Sequence, residues 1–284
     1  MRRRQPDRPT ISSLLILLTM LACAVPGLSF PGAAPAGDPG SFSTIVAGTA
    51  AVLASQTAAA APASTPTQAP TPAPQPTNTA AEVVSTEGTS LRKQADGSYL
   101  FSDYMGGYRL AVAFGWLAVR VNEQETMNAW ALPEASNPNV QRFLTQVQAS
   151  DPKLFRLFGL DVLPEHLQRS FATNFNVLLD RNNTDSLEGL VDDLKKEMPR
   201  TLLSARILSA RVDQTSSQIP VGIIETTSDL QGTSGESISL YQKQVIFRVR
   251  GGALAIAFST TTDLKDLLVP VFDQMIDRIE MLEQ

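Results

Sequence analysis

Between Pro31 and Ser90 the chain carries only three charges, Asp38, Glu82 and Glu87. Nine of its 19 prolines fall between Pro31 and Pro76, and 16 of its 18 aromatic residues lie between Tyr99 and Phe272. A stretch so poor in large apolar side chains buries too little to repay about 1–2 kcal/mol of ordering entropy per residue. Its heart, ASTPTQAPTPAPQPTNTA over residues 63–80, favours extended polyproline II segments. It reads as a spacer, with a proline-rich ligand for a partner domain as the alternative. Fifty such residues reach ~150 Å when extended and ~40 Å as a flexible coil. A conventional core is therefore confined to the part after residue 88. The expected organisation is a signal peptide or membrane anchor over 1–24, a Pro/Thr/Ala-rich tether over 25–87, and one domain over 88–284, a comfortable single-core length.

The balance of residue types excludes several classes. Hydrophobic content of 43% with 18% charged residues argues against wholesale disorder. A net charge of −5 and a pI near 5.0 argue against a phosphate-binding surface, so no nucleic-acid partner is expected. One Cys and one His exclude a disulfide framework and a Cys/His zinc cage.

The N-terminus reads as an address. Arg2, Arg3, Arg4 and Arg8 precede an uncharged apolar run from Ile11 to Ala24, which Pro26 and Gly27 break. The run fits a signal h-region of ~7–15 residues and falls short of the ~20 that a spanning helix wants. Counting on to Phe30 keeps an uncleaved signal anchor open. Cys23 stands where such a run is cut, and Met20-Leu21-Ala22-Cys23 resembles a bacterial lipoprotein box, which implies a lipid on Cys23. Ordinary cleavage at the small-x-small site Ala22-Cys23-Ala24 is the third possibility. The expected location is the extracytoplasmic face of the cell membrane.

In the domain, Asp96-Gly97 signals a hairpin between Leu91-to-Ala95 and Ser98-to-Phe101. Tyr108, Leu110 and Val112 alternate as a strand, and Gly115-Trp116 leads into a second at Leu117-to-Val121. Asn137-Pro138 is an N-cap and first-turn pair for a helix striped by Val140, Phe143, Leu144 and Val147. Asp151-Pro152 repeats the device before Leu154, Phe155 and Phe158, giving a helical section over Asn137-to-Phe171. Phe175, Val177 and Leu179 alternate as a strand. Asp185, with Glu188 three residues on, caps a helix that Pro199 ends. Strands follow at Arg206-to-Val212, Ile219-to-Thr226, Ile238-to-Arg250 and Ala253-to-Ser259. A tight Gly251-Gly252 turn would set Val249 opposite Leu254, Phe247 opposite Ile256 and Val245 opposite Phe258. A last helix starts near Asp263, its stripe running to Ile279 and Leu282, with Pro270 kinking it or marking a late start. This order is α+β with a mainly antiparallel sheet.

GSYLFSDYMGGYRLAVAFGW resembles the opening of PsbP-like domains, and ATNFNVLLD, EGLVDDLKKEMP and QKQVIFRVRGGALAIAFSTT resemble later parts of that pattern. The resemblance implies a PsbP-like α/β/α sandwich, a fold also used by actinobacterial lipoproteins of the LpqN type. It implies a binding or assembly-accessory protein with no shared catalytic set.

Tested for chemistry, the residues offer little. His166 beside Glu165 reads as a surface histidine, since adjacent helix residues point ~100° apart. Gly235-Glu236-Ser237-Ile238-Ser239 begins like a nucleophile elbow but ends in Ser, and no His follows it. Ser90-x-x-Lys93 lacks its partner motifs. Asp192-Asp193 and Asp263 with Asp266 read as solvated helix-start carboxylates, so no metal or cofactor is expected. Phe143, Phe155, Phe158, Phe171 and Phe175 would line an apolar pocket under the 137–171 helices if they are not simply core. Arg248 and Arg250 would face an acidic partner if they are not a solvated sheet edge. The expected function is a membrane-tethered extracytoplasmic protein without catalytic activity, binding an unknown envelope protein or component. The alternative is a carrier or sensor of an apolar small molecule. Replacing Cys23 with Ala should move the chain from the membrane fraction to the supernatant when lipid is its sole anchor, as fractionation and blotting would read. Retention of the variant in membranes would instead select the uncleaved anchor.

Overall fold

Asp96 turns the chain back on itself by accepting hydrogen bonds from the Ser98 backbone N–H and hydroxyl at 2.9 and 2.6 Å. Gly97 takes the positive φ that the turn requires. In the computed structural model, which describes residues 84–167, 171–201, 204–231 and 236–282, this turn joins β1 (Thr89–Lys93) to β2 (Tyr99–Asp103). β3 (Tyr108–Val112) follows, with Tyr108, Leu110 and Val112 on its buried face as their alternation predicts. The hydrogen-bonded turn at Ser85–Gly88 precedes β1, so ordered contacts begin by Ser85. Residues 1–83, with Cys23 and nearly all of the tether, lie outside the described residues.

The second sheet holds β4 (Trp116–Val119), β5 (Phe155–Asp161), β6 (Asn174–Asp180), β7 (Arg206–Gln214), β8 (Pro220–Gln231), β9 (Ser237–Val249) and β10 (Gly252–Thr261). Its order is β4-β5-β6-β10-β9-β8-β7, with antiparallel neighbours throughout. Two meanders thus meet at β6 and β10. Five α-helices are described, α1 (Gln124–Ala129), α2 (Pro138–Ala149), the short α3 (Pro164–Leu167), α4 (Leu187–Thr201) and α5 (Lys265–Asp277), with a 3-10 turn at Pro133–Ser136 before α2. One face of the large sheet packs against α5 and the small sheet, through Trp116, Phe175, Val245, Phe247, Ile256 and Phe258. The other packs against α2 through Phe158, Leu160 and Leu178, and against α4 through Ile224, Ile246 and Ala253. The fold is α+β, a helix-sheet-helix sandwich with a small sheet added beside α5.

Several expectations are corrected. The spacing of Leu154, Phe155 and Phe158 predicts a helical section, yet Phe155 opens strand β5. Phe155 pairs with Leu178 and Leu157 with Val177, so Arg156 is an extra residue in a β-bulge. The bulge turns Phe155 and Phe158, three apart, onto one face while Leu157 takes the other. A helix-like spacing therefore sits in a strand. At α4 the hydroxyl that reaches back is Ser186's, accepting from Gly189 N at 3.1 Å, rather than the Asp185 carboxylate. Pro199 lies inside that helix. α5 runs through Pro270, whose missing donor falls on a face where Asp266 and Pro270 are both exposed. The helix stops at Asp277, and β11 (Glu280–Met281) pairs with β3 to complete the small sheet, order β1-β2-β3-β11.

The β9–β10 hairpin is the expected one, shifted by two residues. Leu254 faces Phe247, Ile256 faces Val245 and Phe258 faces Lys243, because the turn is Arg250-Gly251 and Gly252 already belongs to the strand. A two-residue shift keeps every side chain on its expected face. Gly251 has φ +67° and open space around it, whereas a Cβ on Gly252 would fall 2.2 Å from the Asp180 carbonyl oxygen. Gly251→Ala should therefore cost about 1 kcal/mol from the left-handed backbone alone, and Gly252→Ala about 3 kcal/mol from backbone collision. Urea melts of the two variants test this order, and a larger loss at Gly251 would refute the register.

A candidate binding strip on the sheet

On the face that carries α2 and α4, the central strands change character along their length. Leu178, Ala255 and Ile246 form one apolar cross-strand row, but the next two rows are largely polar. Asn176, Ala257 and Gln244 lie side by side, followed by Asn174, Ser259, Gln242 and Thr226 across four strands. Thr261 continues the strip along β10. All are buried; Asn176 is 0% exposed and Gln244 3%. The strip lies between the residues on which α2 packs and those on which α4 packs.

Parts of the strip satisfy one another. Gln242 Nε2 donates to Ser259 Oγ at 3.1 Å, and Asn174 Nδ2 donates to the Ala172 carbonyl at 2.9 Å. Others do not: Asn176 Nδ2 and Oδ1, Gln244 Nε2, Thr226 Oγ1 and Thr261 Oγ1 are buried with no hydrogen-bond partner among the described residues. Each such group costs about 1–3 kcal/mol of desolvation. Nearly all buried polar groups in folded proteins are paired, so five atoms on one patch call for a ligand, bound water or both. At Asn174 the strip meets a small cleft of about 30 Å³ bordered by Asn139, Arg142, Phe143, Gln146 and Phe171.

The five phenylalanines do not share a pocket. Phe143, Phe155 and Phe158 fill the core beneath α2, with ring centroids 6.1 Å apart for Phe143–Phe158 and 5.1 Å for Phe155–Phe158. Phe175 lies on the opposite face against Trp116 and Phe258. Phe171 is half-buried at the cleft. Arg248 and Arg250 are likewise separated. β9 is an interior strand, and Arg248 donates to the Asn183 carbonyl at 3.1 Å, while Arg250 sits exposed in the turn. Neither stands on a sheet edge.

The ionisable groups are drawn into closed arrangements. His166, expected at the surface, is buried, with Nδ1 2.5 Å from Asp161 Oδ2. Burial pushes the Asp161 carboxyl above its ordinary value, outweighing the Leu163 N–H and His166 bonds that pull it down. Glu225 accepts from Tyr241 Oη at 2.6 Å and Ser209 Oγ at 2.5 Å. Its cross-strand neighbour Lys243 is bonded to Asp273 of α5. Burial and the Glu225 bond push the Tyr241 phenol well above its ordinary value. Asp193 pairs with Lys196 on the exposed side of α4. Among the described residues no three His, Cys, Asp or Glu side chains converge as a metal site, and no helix is long and apolar enough to cross a membrane.

No family model matches the sequence, and no curated protein matches it. Solved structures similar to this chain include cyanobacterial PsbP from Synechocystis, at 12% identity over 70% of this chain and 95% of that one, TM-score 0.40. LpqN of Mycobacterium tuberculosis, a protein involved in cell envelope biogenesis, is similar at 8% identity over 45% and 72%, TM-score 0.33. A protein of unknown function from Pseudomonas aeruginosa is similar at 13% identity over 40% and 76%, TM-score 0.35. Each likeness is one of fold. The sequence motifs resemble PsbP-like domains, and LpqN is expected as another user of the fold they imply.

Glu225 provides a pH test of the α5 side. Burial raises its pKa, but the bonds from Ser209 and Tyr241, the Lys243 charge and Arg211 outweigh that and bring it from 4.5 to about 2. A depressed carboxylate contributes stability that is complete above the unfolded value and lost as pH falls through the folded one. Stability should therefore decline between about pH 4.5 and 2, and Glu225→Gln should flatten that limb in acid titrations followed by circular dichroism. An unchanged slope would place the acid sensitivity elsewhere.

Proposed function

We propose that this chain is a membrane-tethered, extracytoplasmic binding or assembly-accessory protein that works without catalysis. The observation that carries this reading is the buried strip itself. Asn176, Gln244, Thr226 and Thr261 present hydrogen-bonding atoms without partners among the described residues, and the strip holds no titratable side chain. Neutral amides and hydroxyls orient a ligand, but at ordinary pH they do not act as general acids or bases. Asp161, His166, Glu225 and Lys243 are engaged in internal bonds, which further supports binding over chemistry. The tether and address rest on the basic start, the apolar run, Cys23 and the proline-rich spacer. A carrier of apolar molecules gains no support, because the phenylalanines under α2 pack against one another.

The test compares the full chain with Asn176→Leu and Gln244→Met, which keep volume and remove the amides. Native mass spectrometry after mild detergent extraction should find a bound species on the wild type that both variants lose, with unchanged far-ultraviolet dichroism. A species retained equally by all three, or by none, would sink the strip as a binding site.

A further inference from the structure

We infer that Asn182 is an acceptor of N-linked glycan, transferred from a lipid-diphosphate-linked oligosaccharide on the extracytoplasmic side of the membrane. The inference goes beyond the binding reading and shares only its extracytoplasmic address. Asn182-Asn183-Thr184 is the one Asn-x-Ser/Thr triplet with x other than Pro in the 284 residues. Such a triplet is an acceptor where it lies on a surface loop of an exported chain. A pattern this short also arises by chance, so its surroundings decide.

Those surroundings fit an acceptor. The triplet lies in the connection between β6, which ends at Asp180, and α4, which starts at Leu187. Asn182 and Thr184, the two residues that a transferase reads, are both exposed, whereas Asn183 between them is only 7% exposed. Among the described residues no hydrogen bond engages the Asn182 amide or the Thr184 hydroxyl. Asn182 also stands on the wall of an open groove of about 480 Å³, so the amide has room beside it for a sugar ring.

The backbone of the turn, by contrast, is held. Asp180 Oδ1 accepts from the Asn182 N–H at 3.0 Å, and Asn183 Oδ1 accepts from the Asp185 N–H at 3.1 Å, two side-chain turns in succession. Arg248 of β9 donates to the Asn183 carbonyl through both Nη1 and Nη2 at 3.1 Å, and to Asn183 Oδ1 at 3.2 Å. Asn183 thus anchors the turn to the sheet while its two neighbours keep free side chains.

Transfer forms a bond from Asn182 Nδ2 to C1 of the first sugar and breaks the C1–O bond to the lipid diphosphate. The diphosphate leaves with the electron pair, one amide proton passes to a base of the transferase, and nothing is oxidised or reduced.

The experiment isolates the full chain from the cells that produce it naturally and reads its intact mass and the mass of the peptide that holds Asn182. Sugar units should be found on that peptide, lost completely in Asn182→Gln and Thr184→Ala and kept in Thr184→Ser. The exposed positions make misfolding a poor explanation of that loss, and melting curves of the three variants, equal to one another within error, would exclude it. Protease added to spheroplasts of the same cells reports the address separately. An unmodified Asn182 in a chain that this protease digests would overturn the inference and leave the extracytoplasmic reading standing. A chain shielded from the protease and unmodified would remove both. Sugar retained in Asn182→Gln or in Thr184→Ala would overturn this acceptor site.

Discussion

The buried ion pair between Arg156 and Asp103 holds the two sheets in one body. Both side chains are fully buried, with Arg156 Nε 2.7 Å from Asp103 Oδ2. The remaining guanidinium nitrogens donate to the Pro152 and Glu87 carbonyls at 3.0 and 2.6 Å. Asp103 Oδ1 accepts from the Met105 and Gly106 backbone at 3.0 and 2.8 Å. One pair therefore fixes the turn after β2, the approach to β1 and the start of β5. Such a pair adds little over apolar packing, but losing one partner strands the other charge at about 3–5 kcal/mol. Its geometry depends on the bulge, which is what brings Arg156 into an otherwise regular strand.

The same bulge shapes the polar strip at a distance. It turns Phe155 and Phe158 together under α2, so that helix covers the β5 side of the sheet. α4, crossing from β6 to the far edge, covers β8 and β9. The rows between are left polar and incompletely bonded, which costs stability. Apolar residues there would stabilise the empty chain and leave a ligand nothing to bond, a common opposition between stability and function.

Much of the fold was legible in local signals. The Asp-Gly turn, the Asn137-Pro138 cap, the alternation in β3 and the stripe of α4 each rest on interactions within a few residues, and each appears in the structure. The lapses fall where distant contacts decide. A turn of Arg250-Gly251 rather than Gly251-Gly252 follows from the close approach of Gly252 to Asp180 on another strand. The C-terminal stripe reads as helix to its end until β3 supplies an open edge for Glu280 and Met281.

The sequence by itself determined where a core is possible, the α+β class and the face assignment of most strands, because composition and periodicity act through burial and chain entropy, which are additive along the chain. It also showed Asn174 and Asn176 alternating with Phe175 and Val177, and Gln242 and Gln244 with Lys243 and Val245. From one strand alone, such polar positions read as a solvent face. Only the tertiary structure decided that these positions are buried, and so turned ordinary surface amides into buried hydrogen-bonding groups. It likewise decided that a helix-like Phe155–Phe158 spacing belongs to a bulged strand, since the partner that pulls Arg156 out of register lies fifty-three residues away.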